Sequence, residues 1–245
     1  NSGIMKYISI RHGGALIGAD NEINGLTLGG VGTGTVIDNI EVVGNVDDGI
    51  EFFGGTVNAT NLLVWGQGDD GLDIDQAYAG TVDNAAVIAE AASDHGMEID
   101  GPEGSAPGKF MLKNITLIGS ATAEDGEYND NRKGATGTIN GLLAYGFQVG
   151  KDFELDKEAD EDIFLAGDLG FQNFEVVVPD GDSLTGGQIF DAKANHDDAL
   201  KTTYEEAKNI SGETFAKAVT DAASATVGAD MSKFGWTMAK EKGKF

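Results

Sequence analysis

"DDGIEFFGG", Asp47 to Gly55, is an acidic turn that runs into a short apolar alternation, and the chain repeats it. "DDGLDID" follows at Asp69 to Asp75 and "DHGMEID" at Asp94 to Asp100, with an uncharged relative, "NGLTLGG", at Asn24 to Gly30. The glycines of the four copies, Gly25, Gly49, Gly71 and Gly96, step by 24, 22 and 25 residues. A second series lies between them, in which an Asn precedes an apolar alternation. Its members are Asn39, Asn61, Asn84, Asn114, Asn140 and Asn173, stepping by 22, 23, 30, 26 and 33. Two interleaved series with one period mean one structural coil per period, longer where a loop is inserted.

The repeats are short, Gly-rich and β-branched, with alternation of period two and no amphipathic helix inside the period. Helical repeats are excluded, and the spaced leucines of a leucine-rich repeat are missing. A parallel β-helix fits, each coil supplying two or three short strands that stack about 4.8 Å apart. The recurrent Asn is expected to point inward, each amide bonding its neighbours above and below as a structural ladder.

Composition narrows the classes. The chain has 245 residues, with Lys plus Arg 16 against Asp plus Glu 41, a net charge of −25. Nucleic-acid binding is driven by clustered Lys and Arg and is therefore excluded, and an anionic membrane surface is disfavoured for the same reason. There are no cysteines, so no disulfide framework and no Cys-based metal or redox site exists. This fits a secreted protein that relies on its core. No apolar run is long enough to span a membrane. "NSGIMKYISI" starts inside a predicted strand, so the N-terminus is expected to be a cut in a longer chain.

The β-helix is assigned to residues 1–179. Beyond Pro179, "NHDDALKTTYEEAKNISGETFAKAVTDAAS" has helical spacing, with Asp197 and Asp198 as entry signals and a capping box near Ser211, Glu213 and Thr214. Residues 180–245 are expected to be a partly helical C-terminal cap over the open end of the solenoid.

"NEINGLTLGGVGTGTVIDNIEVVGNVDDGIEFFGGTVNATNLLVWGQGDDGLDIDQAYAG", together with "RHGG", "DHGMEIDGPEG" and the late "FGWT", resembles a family of bacterial cell-surface lipoproteins and secreted proteins of right-handed parallel β-helix type. The resemblance covers most of residues 1–178. It implies an all-β, right-handed parallel β-helix at the outer cell surface or outside the cell, and brings no established reaction. Members carry a lipoprotein signal and earlier coils ahead of this point. The open N-terminal coil is thus expected to pair with an upstream segment or another chain.

The acidic copies then need a reason. If Leu26/Leu28, Ile50/Phe52, Leu72/Ile74 and Met97/Ile99 point inward, then Thr27, Glu51, Asp73 and Glu98 stack in one outer column. Phe53, Asp75 and Asp100 run beside it, and Asp48, Asp70 and His95 form a third column at the turn. Like charges one coil apart repel appreciably even at an effective dielectric of about 20. Three explanations compete: a solvated acidic surface, calcium held by Glu51, Asp73, Asp75, Glu98 and Asp100, or catalysis by paired carboxylates on a polysaccharide. "GDDGLDI" and "DHG" bear a slight resemblance to the carboxylate pair and His-Gly element of β-helical polygalacturonase-type hydrolases. A lyase would instead combine calcium with a basic residue, as β-helical polysaccharide lyases do.

Catalytic candidates are Arg11, His12, Asp70 and His95, while Arg132 and Arg11 also read as structural ion pairs against the acidic columns. A carboxylate neighbour raises a histidine pKa, favouring a charged partner over a base at His12 and His95. His196 reads as a surface residue. The ligand-binding set is Glu51, Phe53, Asp70, Asp73, Tyr78 and His95. Trp65, which follows an apolar run, is assigned to the core. The favoured function is a surface module that binds glycans or surface polymers, an adhesion role in which Ca2+ assists. The alternatives are a lyase or hydrolase of acidic polysaccharide and a purely structural or assembly protein.

Overall fold

The computed structural model describes residues 2–15, 23–123, 125–184, 189–192 and 214–245. Odd-numbered strands build one sheet: β1 (Ile4–Arg11), β3 (Val36–Val43), β5 (Ala59–Trp65), β7 (Thr81–Ile88), β9 (Phe110–Ile118), β11 (Gly137–Tyr145), β13 (Leu169–Val176) and β15 (Ala216–Ala218). Even-numbered strands build the other: β2 (Leu26–Thr27), β4 (Ile50–Phe53), β6 (Leu72–Asp75), β8 (His95–Asp100), β10 (Glu127–Arg132), β12 (Phe153–Leu155) and β14 (Phe190–Ala192). Every pairing within the two sheets is parallel, in sequence order. Each turn of chain thus adds one strand to each sheet, which is a right-handed parallel β-helix.

The long strands of the odd sheet bend in their middle, and this is where the Asn series sits. Asn39, Asn61, Asn84, Asn114 and Asn173 have φ of 57°, 56°, 69°, 56° and 55°. Asn tolerates this left-handed conformation better than most residues with a side chain. The bent residue is skipped in the pairing: Asp38 faces Thr60 and Ile40 faces Leu62, leaving Asn39 and Asn61 unpaired. That extra residue shifts the alternation, so Ile37, Ile40 and Val42 all enter the core.

The asparagines bond from coil to coil as expected, but outside the apolar core, so the expectation that they point inward is corrected while the ladder holds in part. Asn39 and Asn84 are buried, Asn61 is half-buried, Asn114 and Asn173 are exposed, and amides link one coil to the next. Asn84 Nδ2 donates to Asn61 Oδ1 at 2.8 Å, and Asn173 Nδ2 to Asn140 Oδ1 at 2.9 Å. Asn140 itself is not the bent residue; Gly141, at φ 76°, takes that place. Inward asparagines do occur at Asn129 and Asn131, both fully buried, in the even sheet. They bond each other at 2.5 Å, and Asn131 reaches the Glu154 carbonyl at 3.0 Å.

The core is one continuous column from Leu28 to Phe215. Toward its later coils it becomes aromatic, with Tyr128 stacked on Phe147 at 3.8 Å and Phe153 on Phe190 at 4.9 Å. A helix, α1 (Glu158–Ala166), fills the longest Asn step, where the sequence indicated a loop. Phe164 of α1 packs on Phe171 at 5.3 Å between ring centres.

The C-terminal region also departs from expectation. β14 and β15 continue both sheets past Pro179, so Ala216–Ala218 is strand, not helix. Asp197, Asp198, Ser211, Glu213 and His196 lie outside the described residues. From Val219 the chain runs back along the outer face of the odd sheet as a strap. Thr226 N and Oγ1 bond Glu175 at 2.5 and 2.6 Å, Ala229 N bonds Thr116 Oγ1 at 2.8 Å, and Asp230 N bonds Asn84 Oδ1 at 2.5 Å. Further on, Ala239 N, in α2 (Met238–Glu241), reaches the buried Glu41 at 2.9 Å, and Trp236 meets Tyr7 edge-on. This strap covers Leu63, Ala86 and Ile88, apolar residues on the outside of the sheet.

Candidate functional site

The even sheet brings the acidic columns into register. Thr27 faces Glu51, Glu51 faces Asp73 and Asp73 faces Glu98. The column then runs further than the repeats indicated, through Asp130 to Glu154. Those two residues sit in "DGEYNDNRKG", whose Asp125-Gly126 stands two residues out of phase with the earlier copies, and in "DFELD", which has no Asp-Gly opening; only their distance along the period pointed to them.

Gly25, Gly49 and Gly71 enter the strands where neighbouring coils leave no space. A Cβ on Gly49 would lie 2.3 Å from Val64 Cγ1 and 2.6 Å from the Gly71 carbonyl, and Gly25 and Gly71 meet equivalent contacts. The acid ahead of each glycine holds the next coil. Asp48 Oδ1 accepts from Asp70 N at 3.1 Å, and Asp70 Oδ1 from His95 N at 2.9 Å. His95 Nδ1 lies 2.8 Å from the same Asp70 oxygen.

Three neighbouring carboxylates make no ion pair with a cationic side chain among the described residues. Asp48, Glu51 and Asp73 each place an oxygen within 4.8 Å of the other two. Asn24 donates its amide to Glu51, while Asn24 Oδ1 and Asp73 Oδ1 are buried without a hydrogen-bond partner. Burial, then the charge of Asp70, raises the Asp48 carboxyl well above the usual range. Burial, then Asp75 and Asp47, pushes Glu51 up to about 7. Asp73 is raised furthest, by burial and by Asp48, Glu51 and Glu98. Asp69, at the adjoining turn, is lifted to about 6 by burial and Asp70.

The next coils are different, because cations are built in. Arg132 Nε meets Asp100 Oδ1 at 2.6 Å, its terminal nitrogen meets Glu98, and Lys133 Nζ meets Asp100 Oδ2 at 2.5 Å. Burial still raises Glu98, with Asp70 adding to it and Arg132 opposing. Burial disfavours the charged form of His95, but the Asp70 hydrogen bond and the charges of Asp70 and Asp94 outweigh it, pushing its pKa up to about 10. The shift favours the imidazolium form of His95, a cation and proton donor, over a base.

Of the five residues expected to hold calcium, Glu51 and Asp73 come together with Asp48. Glu98 and Asp100 are engaged by Arg132 and Lys133, and Asp75 accepts from Gln76 N at 2.5 Å. Among the catalytic candidates, Asp70 and His95 are in contact. Arg11 belongs to the other sheet, beside Ser9 and 3.7 Å from Glu41. His12 starts a turn there, its backbone N–H bonded to the Val43 carbonyl, so neither joins the carboxylates. Phe53 stays 39 % exposed beside them. Tyr78 does not serve as a ligand platform: it is 1 % exposed, and its hydroxyl donates to the Val57 carbonyl at 2.6 Å. Trp65 is only partly buried, its indole bonded to Glu90 at 2.8 Å under Lys244 of the strap.

No helix among the described residues is long and apolar enough to cross a membrane. No curated protein and no solved structure matches the chain. A family model described as a pectate-lyase-like β-helix domain matches residues 1–238. With that match over nearly the whole chain, on two wholly parallel sheets, the chain belongs to the pectate-lyase-like β-helix family.

Proposed function

We propose that this is an extracellular or cell-surface module that binds an acidic glycan along its even sheet, with calcium between protein and polymer. The observation that carries this is the trio Asp48, Glu51 and Asp73, three neighbouring carboxylates with no cationic side chain paired to them among the described residues. A hard divalent cation takes several oxygen ligands at roughly 2.4 Å, and the trio with the Asn24 amide oxygen offers that donor set. The two buried oxygens without partners support the fit. Bound there, calcium would neutralise the carboxylates and present open positions to an anionic sugar, which a chain of net charge −25 otherwise repels. Exposed Phe53 offers a ring face beside it. Binding to polygalacturonate and alginate, measured with calcium and with chelator, tests the reading. Calcium-dependent retention supports it, and equal binding or none in both buffers removes it.

A second reading, an enzyme on the same polymers, is favoured by one contact. Asp70 holds the His95 imidazolium at 2.8 Å, beside carboxyls raised in pKa and the Arg132 guanidinium. A proton donor next to groups of split protonation suits bond cleavage in an acidic sugar chain. Incubation with pectate or alginate plus calcium distinguishes the outcomes. Rising ultraviolet absorbance means elimination, reducing ends without absorbance mean hydrolysis, and His95→Ala abolishes either. The expected result is no turnover.

A further inference from the structure

On the outer face of the odd sheet, a groove of about 640 Å³ runs between the row of bent asparagines and the C-terminal strap. Its floor includes Asn61, Asp83, Asn84 and Asn114, and its wall carries Asp230 and Lys233. The wall is held from two sides, by Thr226 on Glu175 and by Asp230 N on Asn84 Oδ1. That second bond takes the oxygen the asparagine row would otherwise use, and the row is interrupted there. Asn114, which is exposed, instead gives its amide to Asp83 Oδ1 at 2.7 Å, while Lys113 holds the other Asp83 oxygen at 2.8 Å. Lys233 makes no ion pair among the described residues. Asp83 and Asp230 are thus offset by Lys113 and Lys233, a balanced patch on a strongly acidic protein.

We propose that this groove is a second saccharide-binding site, one that takes an uncharged oligosaccharide without calcium. Sugar hydroxyls donate and accept at once, so they need acceptors and donors side by side. Asp230, one of whose oxygens accepts from Ser232, and the remaining lone pairs of Asp83 supply the first, and Lys233 with the second amide hydrogen of Asn114 supplies the second. Val227, half-buried on the wall, gives the C–H face of a ring an aliphatic contact. The volume lies in the range of roughly 300–1,000 Å³ usual for small-molecule sites. Because strap and sheet are already fixed to each other, little ordering is left to oppose binding. Two carboxylates in the lining disfavour a polyanion, which separates this site from the carboxylate face.

The inference stands apart from the proposed function and is tested in chelator, where the carboxylate face carries no calcium. The full chain is titrated calorimetrically with neutral xylo-, cello- and malto-oligosaccharides. Saturable binding of one series is expected, with a Kd of about 1 mM, as suits a few exchanged hydrogen bonds. Lys233→Ala and Asn114→Gly, the latter keeping the left-handed backbone, are each expected to weaken it at least about fivefold. Asp73→Asn is expected to leave it unchanged. No saturable binding, binding that survives both groove substitutions, or binding lost in Asp73→Asn overturns the proposal.

Discussion

At the scale of single residues, the asparagine at each bend shows how a correct pattern can carry a wrong orientation. The recurrence at Asn39, Asn61, Asn84 and Asn114 was legible, because no other residue type repeats at that phase. Its direction was not. A left-handed residue inside a strand shifts the alternation by one, and apolar spacing alone does not reveal the shift. Asn84 tests this reading. It has φ 69°, donates to Asn61 at 2.8 Å and accepts from Asp230 N at 2.5 Å. Asn84→Leu is expected to destabilise by about 2–3 kcal/mol in denaturant unfolding, combining backbone strain with lost hydrogen bonds. Asn84→Gly removes the bonds but relaxes the backbone, so it is expected to be the milder change. Equal losses would mean that the left-handed conformation contributes nothing.

At the scale of elements, the columns of the even sheet were readable wherever the Asp-Gly turn announced the strand. Glu51, Asp73 and Glu98 stack as their spacing required. β10 and β12 escaped because Tyr128 stands where the earlier coils have glycine, and α1 stretches the following step. Arg132 pairs with the acidic columns as its reading as a structural ion pair required, whereas Lys133 escaped because its contact with Asp100 spans 33 residues of sequence. The stacked acids make stability depend on pH in a definite direction. Glu51 is raised to about 7 and Asp69 to about 6, with Asp48, Asp73 and Glu98 raised too. Between their ordinary values near 4 and these folded values, the native state binds more protons than the unfolded chain. Their contribution is complete below about pH 4 and is lost as pH rises through 6 to 7 and beyond. His95, raised to about 10, has the same sign, its contribution fading from about pH 6.5 upward. Glu175, lowered to about 2 mainly by Lys217 and Thr226 against burial, opposes them only at low pH. In metal-free buffer the melting temperature is therefore expected to fall from pH 5 to pH 8. A flat or rising profile would mean that the carboxylates are solvated and independent.

At the scale of the whole molecule, the solenoid and its period were open to reading, since each coil repeats the same local chemistry. The strap was not, because its partners, Glu41, Asn84, Thr116 and Glu175, lie 51 to 198 residues away in sequence. Those contacts tie together coils that otherwise touch only their neighbours, and they leave the even sheet as the face carrying the unpaired acids. Calcium bound to that face is the central claim, and thermal unfolding with added calcium, against sodium chloride at matched ionic strength, tests it most directly. A ligand held only by the folded state stabilises it by about 2.7 kcal/mol at a hundredfold excess over Kd, whereas screening needs no specific geometry. Calcium is expected to raise the melting temperature well beyond sodium, Asp73→Asn to erase most of that increment, and the same substitution to stabilise the calcium-free protein, because a buried carboxyl no longer has to be protonated on folding. Equal stabilisation by sodium and calcium at matched ionic strength would contradict the claim and leave the columns as a solvated acidic surface.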